Sequence, residues 1–263
     1  MLRSLNSGVS GLKAFQTKLD VIGNNIANVN TVGFKKSRVV FEDIFSQTVK
    51  GASAPTATPQ SGGTNPIQVG LGTKVASIDT VSTPGSPSTT NVGTDLYIDG
   101  DGFFQVRDAS GKPYLTRAGN FMLDQNRQLV NPNGMLVLNE LNSPITINAT
   151  DVSFSISKDG SIVGVDANGV ATTYPSKIKL VKVDNPGGLS KVGGSLYSET
   201  PNAKINTTAP RTAQIISGAL EMSNVDLSEE MTDMITAQRG FQANAKIITV
   251  SDSVLEELVN LKR

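Results

Sequence analysis

The sequence contains no cysteine, no histidine and no tryptophan. Without cysteine it can form no disulfide, no thiolate nucleophile and no zinc site of the usual structural kind. Without histidine it lacks the commonest general base and metal ligand of enzymes. These absences sharply lower the expectation of an enzyme, although they leave catalysis by carboxylates or by serine and lysine open.

An excess of charge of either sign is also missing, because 23 basic and 23 acidic residues give a net charge of zero. The chain therefore has no electrostatic footprint for nucleic acid or for an anionic membrane. No run of about 18 apolar residues occurs, so we expect no transmembrane helix. The apolar residues at the N-terminus are spaced helically instead of forming a block, and we expect no cleaved secretory signal peptide.

The clearest pattern lies at the end of the chain. Apolar residues recur there at every seventh position, namely Leu227, Met234, Phe241, Ile248 and Leu255. Such a period predicts one stripe along a helix with coiled-coil-like packing. Asp226, with Glu229 three residues later, is typical of a capping box at the helix start. A helix from about Leu227 to Leu261 is about 50 Å long, and its stripe needs an equally long cover.

The beginning of the chain predicts a second amphipathic helix, from about residue 3 to residue 28. The residues expected to pack are Leu5, Leu12, Leu19, Ile22 and Ile26. Gly8, Gly11 and Gly23 each weaken this helix by up to about 1 kcal/mol, so it should be marginal alone. We expect the two terminal helices to pair and helices from other copies of the chain to complete the packing.

Between the helices the pattern changes to short strands, from Ile67 to about Ser198. Asp-Gly and Asn-Gly pairs separate them, and such pairs favour hairpin turns. The fold class is therefore predicted to be α+β, with a central all-β domain of sandwich or barrel type. Residues 50–66 are poor in apolar residues and rich in Ala, Ser, Thr, Gly and Pro. They are either a disordered surface loop or an arm that orders against a neighbouring subunit.

These patterns divide the chain into three predicted domains. Residues 1–30 with 224–263 form a discontinuous helical domain. Residues 31–75 with 200–223 form a connecting segment that carries the flexible arm. Residues 76–199 form the central β domain.

No motif for catalysis or ligand binding stands out, and we predict no catalytic residue, no metal site and no cofactor. Asp99 and Asp101 resemble the start of a calcium loop, but the remaining ligand spacing is missing and a hairpin turn is favoured. Gly70 and Gly72 lack the third glycine of a dinucleotide fingerprint. A glycoside hydrolase stays open as an alternative, and it would need a deep pocket with convergent carboxylates.

Both ends of the chain resemble one known family, the bacterial flagellar hook and rod axial proteins. The run Leu-Asp-Val-Ile-Gly-Asn-Asn-Ile-Ala-Asn-Val-Asn-Thr-Val-Gly-Phe-Lys, residues 19–35, is similar to the N-terminal signature of the family. Residues 221–231 and Ala-Gln-Arg-Gly-Phe-Gln at 237–242 resemble its C-terminal signature. Gly-Phe-Phe at 102–104 and Tyr-Leu-Thr-Arg-Ala-Gly-Asn-Phe at 114–121 look like its β domain. The signature residues are Asn24, Asn25, Asn28, Gly33, Phe34, Asn224, Gln238 and Arg239.

The resemblance implies a structural subunit that stacks helically into a hollow tube, with the terminal helices inside and the β domain outside. It also implies export through the flagellar type III apparatus without a cleaved signal, and a location in the flagellum outside the cell. The implied partners are further copies of the chain, flagellar rod proteins, the hook cap, hook–filament junction proteins and the export apparatus. Nucleic acid and membrane insertion are not expected.

Within the family, the sequence favours a short hook protein of Gram-positive type. Asp-Val-Ile-Gly at 20–23, Asn-Val-Asp-Leu-Ser at 224–228 and Leu-Val-Asn-Leu at 258–261 are the hook-like stretches. A hook is a bendable tube that transmits motor torque and passes exported subunits. The short middle region is similar in size to that of a distal rod protein, which is the alternative. A soluble monomer, with both stripes as ordinary core, is a further interpretation.

Overall fold

The computed structural model describes residues 2–54, 56–57, 60–206 and 213–261. Long helices at the two ends flank a β-rich middle, which confirms the predicted α+β class. The chain folds into two compact units. The first comprises Met1–Ile26, Ser37–Asp79 and Leu227–Arg263, and the second Ala27–Lys36 and Thr80–Asp226. The predicted division into three domains stays a prediction.

The first unit holds the two helices, whose ends lie close to the predicted ones. They are α1 (Leu2–Ala27) and α2 (Leu227–Asn260). The unit also contains strands β1 (Ser37–Asp43), β2 (Ser46–Lys50), β3 (Thr56–Ala57), β4 (Gln60–Ser61), β5 (Ile67–Gly70) and β6 (Thr73–Thr80).

The two helices run antiparallel and approach each other closely at glycines. A Cβ atom placed on Gly8 would lie 3.4 Å from Ile248, and one on Gly11 would lie 2.9 Å from the Asn244 side chain. Further along, a Cβ atom on Gly240 would lie 2.6 Å from the Phe15 ring. For Gly8 and Gly11 the sequence predicted only a loss of helix stability. The structure gives them a packing role, because a larger residue would push the helices apart.

The most buried row of α2 differs from the predicted apolar stripe, although Ile248 of the stripe also contacts α1. The buried residues of α2 are Glu230, Ala237 and Ser251, which lie on a seven-residue spacing that Asn244 shares. In the predicted stripe, Met234, Ile248 and Leu255 are only half-buried, while Leu227 and Phe241 are 42% and 36% exposed. On α1, Ile22 is buried, and Leu5, Leu12, Leu19 and Ile26 are half-buried. A single chain therefore covers both stripes incompletely.

Two-stranded ribbons extend the first unit beyond the helices. Strand β1 pairs with β6, β2 pairs with β5, and β3 pairs with β4. The Phe41 ring of β1 lies 5.7 Å from the ring of Phe15, so this ribbon packs on α1. Part of the predicted arm is thus a hairpin, while residues 55, 58 and 59 lie outside the described residues.

The second unit is built from short strands and one 3₁₀ turn, Pro186–Gly188. The strands are β7 (Pro87–Thr89), β8 (Leu96–Asp99), β9 (Phe103–Arg107), β10 (Pro113–Thr116), β11 (Met122–Leu123), β12 (Leu129–Val130), β13 (Leu136–Val137), β14 (Asp151–Ile156), β15 (Ser161–Asp166), β16 (Ala171–Lys177), β17 (Leu180–Val183), β18 (Ser190–Gly193), β19 (Leu196–Ser198), β20 (Ile205–Asn206), β21 (Gln214–Ser217) and β22 (Ala219–Glu221).

The largest sheet is organised around β9. Strands β10, β13 and β17 all pair with it antiparallel. A separate sheet has the order β14-β15-β16. The Gly-Phe-Phe stretch supplies both hydrophobic clusters, because Phe104 belongs to the larger one and Phe103 to the smaller. The alternation of side chains along a strand explains why neighbours enter different clusters.

We expect Gly240→Ala to destabilise the helix pair and Gly23→Ala to stabilise it. Overpacking against Phe15 costs about 1–3 kcal/mol, which outweighs the gain in helix propensity of up to about 1 kcal/mol. At Gly23 no atom lies within 4 Å of an added Cβ, so only the propensity gain remains. Urea unfolding followed by circular dichroism at the helix band measures both. Equal effects of the two variants would contradict the close contact.

Candidate assembly site

Helix α2 carries a large amount of exposed apolar surface. Met231 and Ile235 are 52% and 54% exposed, and Val250 and Leu258 are 52% and 48% exposed. The other large apolar residues of this kind on α2 and just after it are Leu227, Phe241, Ile247, Val254, Val259 and Leu261. A soluble monomer rarely leaves so many large apolar side chains of one helix exposed, so this helix is a candidate site for another protein chain.

Helix α1 differs from α2 in this respect. Between residue 3 and Ala27, every large apolar side chain of α1 is half-buried or buried. The ribbon that includes Phe41 and the α2 face at Gly240 both lie against Phe15 of this helix. The unsatisfied apolar surface of the first unit therefore belongs mainly to α2 and to the β2–β5 ribbon.

Asn25, a predicted signature residue, fixes the end of the helix pair. Its side chain is 1% exposed. The Nδ2 group donates to the Ser37 carbonyl at 2.9 Å and to the Glu230 carboxylate at 3.1 Å, and Oδ1 accepts from the Ser37 backbone N–H at 3.0 Å. An amide is required here because it donates and accepts at once. It joins α1, α2 and the start of β1.

The signature residues after α1 shape the segment that leaves the helix. Asn28 accepts a hydrogen bond from the Thr31 hydroxyl at 3.1 Å. Gly33 has a φ of +67° and an added Cβ would lie 2.6 Å from the Ala118 nitrogen, so both conformation and space require glycine. The Phe34 ring lies under the Lys191 ammonium, 5.0 Å from its centroid. The turn after α1 thus packs against other segments of the second unit.

Asn224 holds the returning segment just before α2. Its Oδ1 accepts from the Lys36 backbone N–H at 2.8 Å. Its Nδ2 donates to the Val81 carbonyl at 2.9 Å and also contacts Thr83. Asn224 therefore connects the segment before α2 to the segment after α1 and to the segment after β6. These hydrogen bonds explain its place in the signature. The remaining signature residues, Asn24 on α1 and Gln238 and Arg239 on α2, are exposed.

A buried ionic cluster that the sequence did not predict lies beside Asn224, because Lys35 and Asn224 both donate to the Thr83 carbonyl. Glu221 is fully buried, and Lys35 and Arg117 are 2% and 3% exposed. One carboxylate oxygen of Glu221 accepts from Lys35 Nζ at 2.5 Å and from the Gly85 backbone N–H at 3.0 Å. The other accepts from Arg117 Nη1 at 3.3 Å. The shorter distance makes Lys35 the stronger partner.

The cluster joins three parts of the second unit that are far apart in sequence. Lys35 follows α1, Arg117 follows β10, and Glu221 ends β22. Burial lowers the pKa of Lys35, and the Glu221 carboxylate opposes that change. All three residues lie within the stretches that resemble the family. A charged residue in each of these stretches was the only hint of the cluster that the sequence offered.

The described part of the chain contains neither a cluster of metal-ligating side chains nor a membrane-spanning helix. Within it, no group of three or more acidic, histidine or cysteine residues is arranged to hold a metal ion. The described helices include none with the length and apolar character needed to cross a bilayer.

Three family models match the chain. "Flagella basal body rod protein" matches residues 5–35, "Flagellar hook protein FlgE/F/G D1 domain" matches residues 97–164, and "Flagellar basal body rod FlgEFG protein C-terminal" matches residues 216–261. The first and third cover the two helices, and the second covers the centre of the β unit.

Relatives match over the whole chain. The flagellar basal-body rod protein FlgG of Bacillus subtilis strain 168 is 53% identical over 268 residues, with both chains fully covered. FlgG of Borreliella burgdorferi is 38% identical over 268 residues, also with full coverage. The flagellar hook protein FlgE of the same organism is 32% identical over 445 residues. The chain belongs to the flagellar hook and rod axial protein family, whose members are structural proteins that polymerise in the basal body and hook.

Alkaline pH should weaken the second unit through Tyr197. Burial, with a smaller contribution from Glu221, raises the pKa of Tyr197 from 10.0 to about 12. Above pH 10 the unfolded chain releases this phenol proton while the folded chain retains it, so stability falls as pH rises between these values. The loss is about 2–3 kcal/mol at most.

The measurement compares the wild type with Tyr197→Phe by urea unfolding at about pH 9 and about pH 11.5. The variant should lose less stability over this interval, and the difference isolates Tyr197 from Lys35 and the other tyrosines. An identical loss in both proteins would show that Tyr197 titrates normally.

Proposed function

We propose that this protein is a distal rod subunit that polymerises helically into the hollow drive shaft of the flagellar basal body. The observation that carries the proposal is the length of the alignments. The rod relatives align over 268 residues, close to the 263 of this chain, whereas the hook relative aligns over 445. The comparisons thus back the rod alternative better than the hook that the sequence favoured.

The exposed face of α2 supports polymerisation. Fully burying one exposed Met, Ile, Val or Leu side chain contributes about 1.5–3 kcal/mol. These side chains are about half exposed, so covering the rest contributes about half as much each, and several together can offset the entropy lost on association. The predicted inner-packing residues Leu227, Met234, Phe241, Ile248 and Leu255 are partly covered in one chain. In the assembly we expect neighbouring copies to bury the remainder.

The β2–β5 ribbon is a second surface that suits neighbouring copies. Phe45 is 87% exposed, Val49 63% and Ile67 54%. A two-stranded ribbon is marginal in water on its own. We expect this ribbon, which flanks the predicted arm of residues 50–66, to pack on an adjacent subunit.

The proposal includes a purely structural role without catalysis. It also includes passage through the type III export apparatus without a cleaved signal, and contacts with other rod proteins at one end and the hook at the other. The glycines of α1 suit such export, because a helix that is marginal alone unfolds readily.

The test is the position of the protein in purified hook–basal bodies. An epitope tag inserted in the exposed turn at Ser110, labelled with gold, should appear on the straight shaft. In cells that lack the gene, assembly of the flagellum should stop before the hook forms. Gold on the curved segment outside the outer boundary of the basal body would contradict the rod and restore the hook interpretation.

A further inference from the structure

The second unit contains a small pocket that is built from four segments far apart in sequence. They are the segments after α1, after β10, after β12 and before β19, which contribute Thr31, Asn120, Asn131 and Ser195 respectively. The volume of the pocket is about 170 Å³, and every residue that lines it is uncharged. The pocket therefore offers hydrogen-bonding groups without a charge.

Asn131 supplies this pocket with a hydrogen-bond donor. Its side chain is only 7% exposed. The Oδ1 atom accepts from the backbone N–H groups of Asn133 at 3.1 Å and of Met135 at 2.8 Å, which fixes the orientation of the amide. Nothing in the described part of the chain accepts a hydrogen bond from Nδ2. Nδ2 is not sealed off either, because the enclosed side-chain atoms without a partner among the described residues are Gln105 Oε1 and Arg117 Nε.

The wall of the pocket at Ser195 is held in an uncommon backbone conformation. Ser195 has a φ of +58°, in the left-handed region that residues other than glycine rarely adopt. Its carbonyl accepts from the Thr116 hydroxyl at 2.9 Å, and its own hydroxyl donates to the Val32 carbonyl at 3.3 Å. Such a conformation persists only where the surroundings fix it, and it is frequent at binding sites. The pocket is thus already formed in the single chain.

The chemistry of the pocket selects an uncharged group with an acceptor oxygen. A charged group would lose its water there without gaining a counter-charge. The Nδ2 donor of Asn131 requires a carbonyl or hydroxyl oxygen as its partner. The volume lies below the range of about 300–1,000 Å³ that is usual for small-molecule sites, and it corresponds to about six water molecules. It suits a single carboxamide or hydroxyl side chain.

The rim of the pocket favours a protein as the source of that side chain. Val192 is 54% exposed and lies two residues before Gly194, which lines the pocket. Pro132 also lines the pocket and is exposed. A protein surface that fills the pocket can cover these apolar groups as well, and their removal from water stabilises the contact.

We infer that the pocket receives a carboxamide or hydroxyl side chain from a neighbouring copy of the chain, and that Asn131 Nδ2 donates to its oxygen. The contact lies in the second unit, so it is distinct from any packing of α1 and α2. The pocket and the side chain that fills it are different surfaces, so the contact is heterologous, as an open polymer requires. The inference rests on the proposed function for the presence of neighbouring copies.

The absence of cysteine in the chain allows the pocket to be probed by labelling. The variant Asn120→Cys is treated with iodoacetamide as purified monomer and in isolated basal bodies. Labelling should be slower by about tenfold or more in basal bodies, because the contact must open before the thiol reacts. The matched control, Ser110→Cys in an exposed turn, should react equally in both states. Equal rates for Asn120→Cys in both states would overturn the inference, and Thr31→Cys serves if that variant does not fold.

A photoreactive benzophenone amino acid in place of Pro132 identifies what enters the pocket. The expected product in basal bodies is a covalent dimer of the chain, in which mass spectrometry locates the link on a second copy. Protection of the Asn120→Cys thiol without such a dimer would mean that a small molecule fills the pocket, and a link only to another protein would name a different partner. Either result would overturn the inference.

The variant Asn131→Asp tests the donor itself, because it replaces Nδ2 by an acceptor and keeps the oxygen that the turn requires. The purified variant should keep its urea midpoint, while the yield of the dimer linked through position 132 should fall by about tenfold or more. Asn148→Asp adds the same charge at an exposed site of this unit and should leave the yield unchanged. An unchanged yield from Asn131→Asp would overturn the role of the donor. Failure of the proposed rod function appears separately, as gold label on the curved segment.

Discussion

Replacing Glu221 with glutamine is expected to lower the free energy of unfolding of the second unit by about 3–5 kcal/mol, because removing one partner of a buried ion pair leaves the other charge uncompensated. Here two cations lose their counter-charge, since Lys35 and Arg117 are both buried against the same carboxylate. Glutamine keeps the size of the side chain and an acceptor for the Gly85 N–H. The loss therefore comes from charge rather than from a cavity.

The four tyrosines make the measurement specific, because Tyr97, Tyr114, Tyr174 and Tyr197 all lie in the second unit. Tyrosine fluorescence during urea unfolding then reports on that unit, while the helical dichroism band reports mainly on α1 and α2. Glu199→Gln, an exposed site in the same unit, is the matched control and should change stability by less than about 0.5 kcal/mol.

A double variant separates the ionic contribution from general damage. Lys35→Met combined with Glu221→Gln should cost less than the sum of the two single changes, because each single change strands the charge that the other removes. Strict additivity would show that Lys35 and Glu221 do not stabilise each other. The 2.5 Å contact would then carry no net free energy.

Replacing Ile248 with aspartate is expected to abolish assembly of the shaft and with it motility. The Ile248 side chain lies half-buried at the close approach to Gly8, and in the assembly a neighbouring copy would have to bury a carboxylate there without a partner, at a cost of several kcal/mol. The roughly 1.5–3 kcal/mol of a fully buried isoleucine is lost as well. Phe241→Asp should have the same outcome with less damage to the isolated chain, since Phe241 is already 36% exposed.

The control is Thr249→Asp, which adds the same charge one residue further along, at an exposed position. Electron microscopy of basal bodies and swimming in soft agar measure the result, and circular dichroism of the purified chains shows whether α2 still forms. If the Ile248→Asp variant formed normal shafts, α2 would not contribute to the assembly contact.

The helices were predictable because their information is local. A seven-residue apolar period and a capping signal predicted α2, and its observed bounds, Leu227–Asn260, differ from the predicted end by one residue. What the period did not show is which row meets α1. The row of α2 that is most buried contains Ala237 and Ser251, whereas the large apolar Ile248 contacts α1 but stays half-buried. Gly8 and Gly11 explain this, because they let the helices approach more closely than a leucine seam allows.

The ionic cluster could not be predicted in the same way, because its members are far apart in sequence. Lys35 and Glu221 are separated by 186 residues, and Arg117 and Glu221 by 104. Periodicity carries no information about contacts of that range. The family resemblance did include all three stretches, and it pointed to Gly33 and Asn224, whose structural reasons became visible only in the fold.

The choice between hook and rod shows the limit of short motifs. The hook-like stretches at 20–23, 224–228 and 258–261 lie in the helices or next to them, in a part of the chain that both kinds of subunit share by resemblance. The alignment lengths support the proposed rod subunit better than the motifs support a hook, because rod relatives align over 268 residues and a hook relative over 445.

The central claim is that copies of the chain cover the exposed face of α2. The most direct measurement is the maleimide labelling of a Met231→Cys variant, as purified monomer and within assembled basal bodies, each normalised to the denatured protein. The account predicts rapid labelling of the monomer, where Met231 is 52% exposed, and strong protection in the assembled shaft. Equally rapid labelling in both states would contradict it.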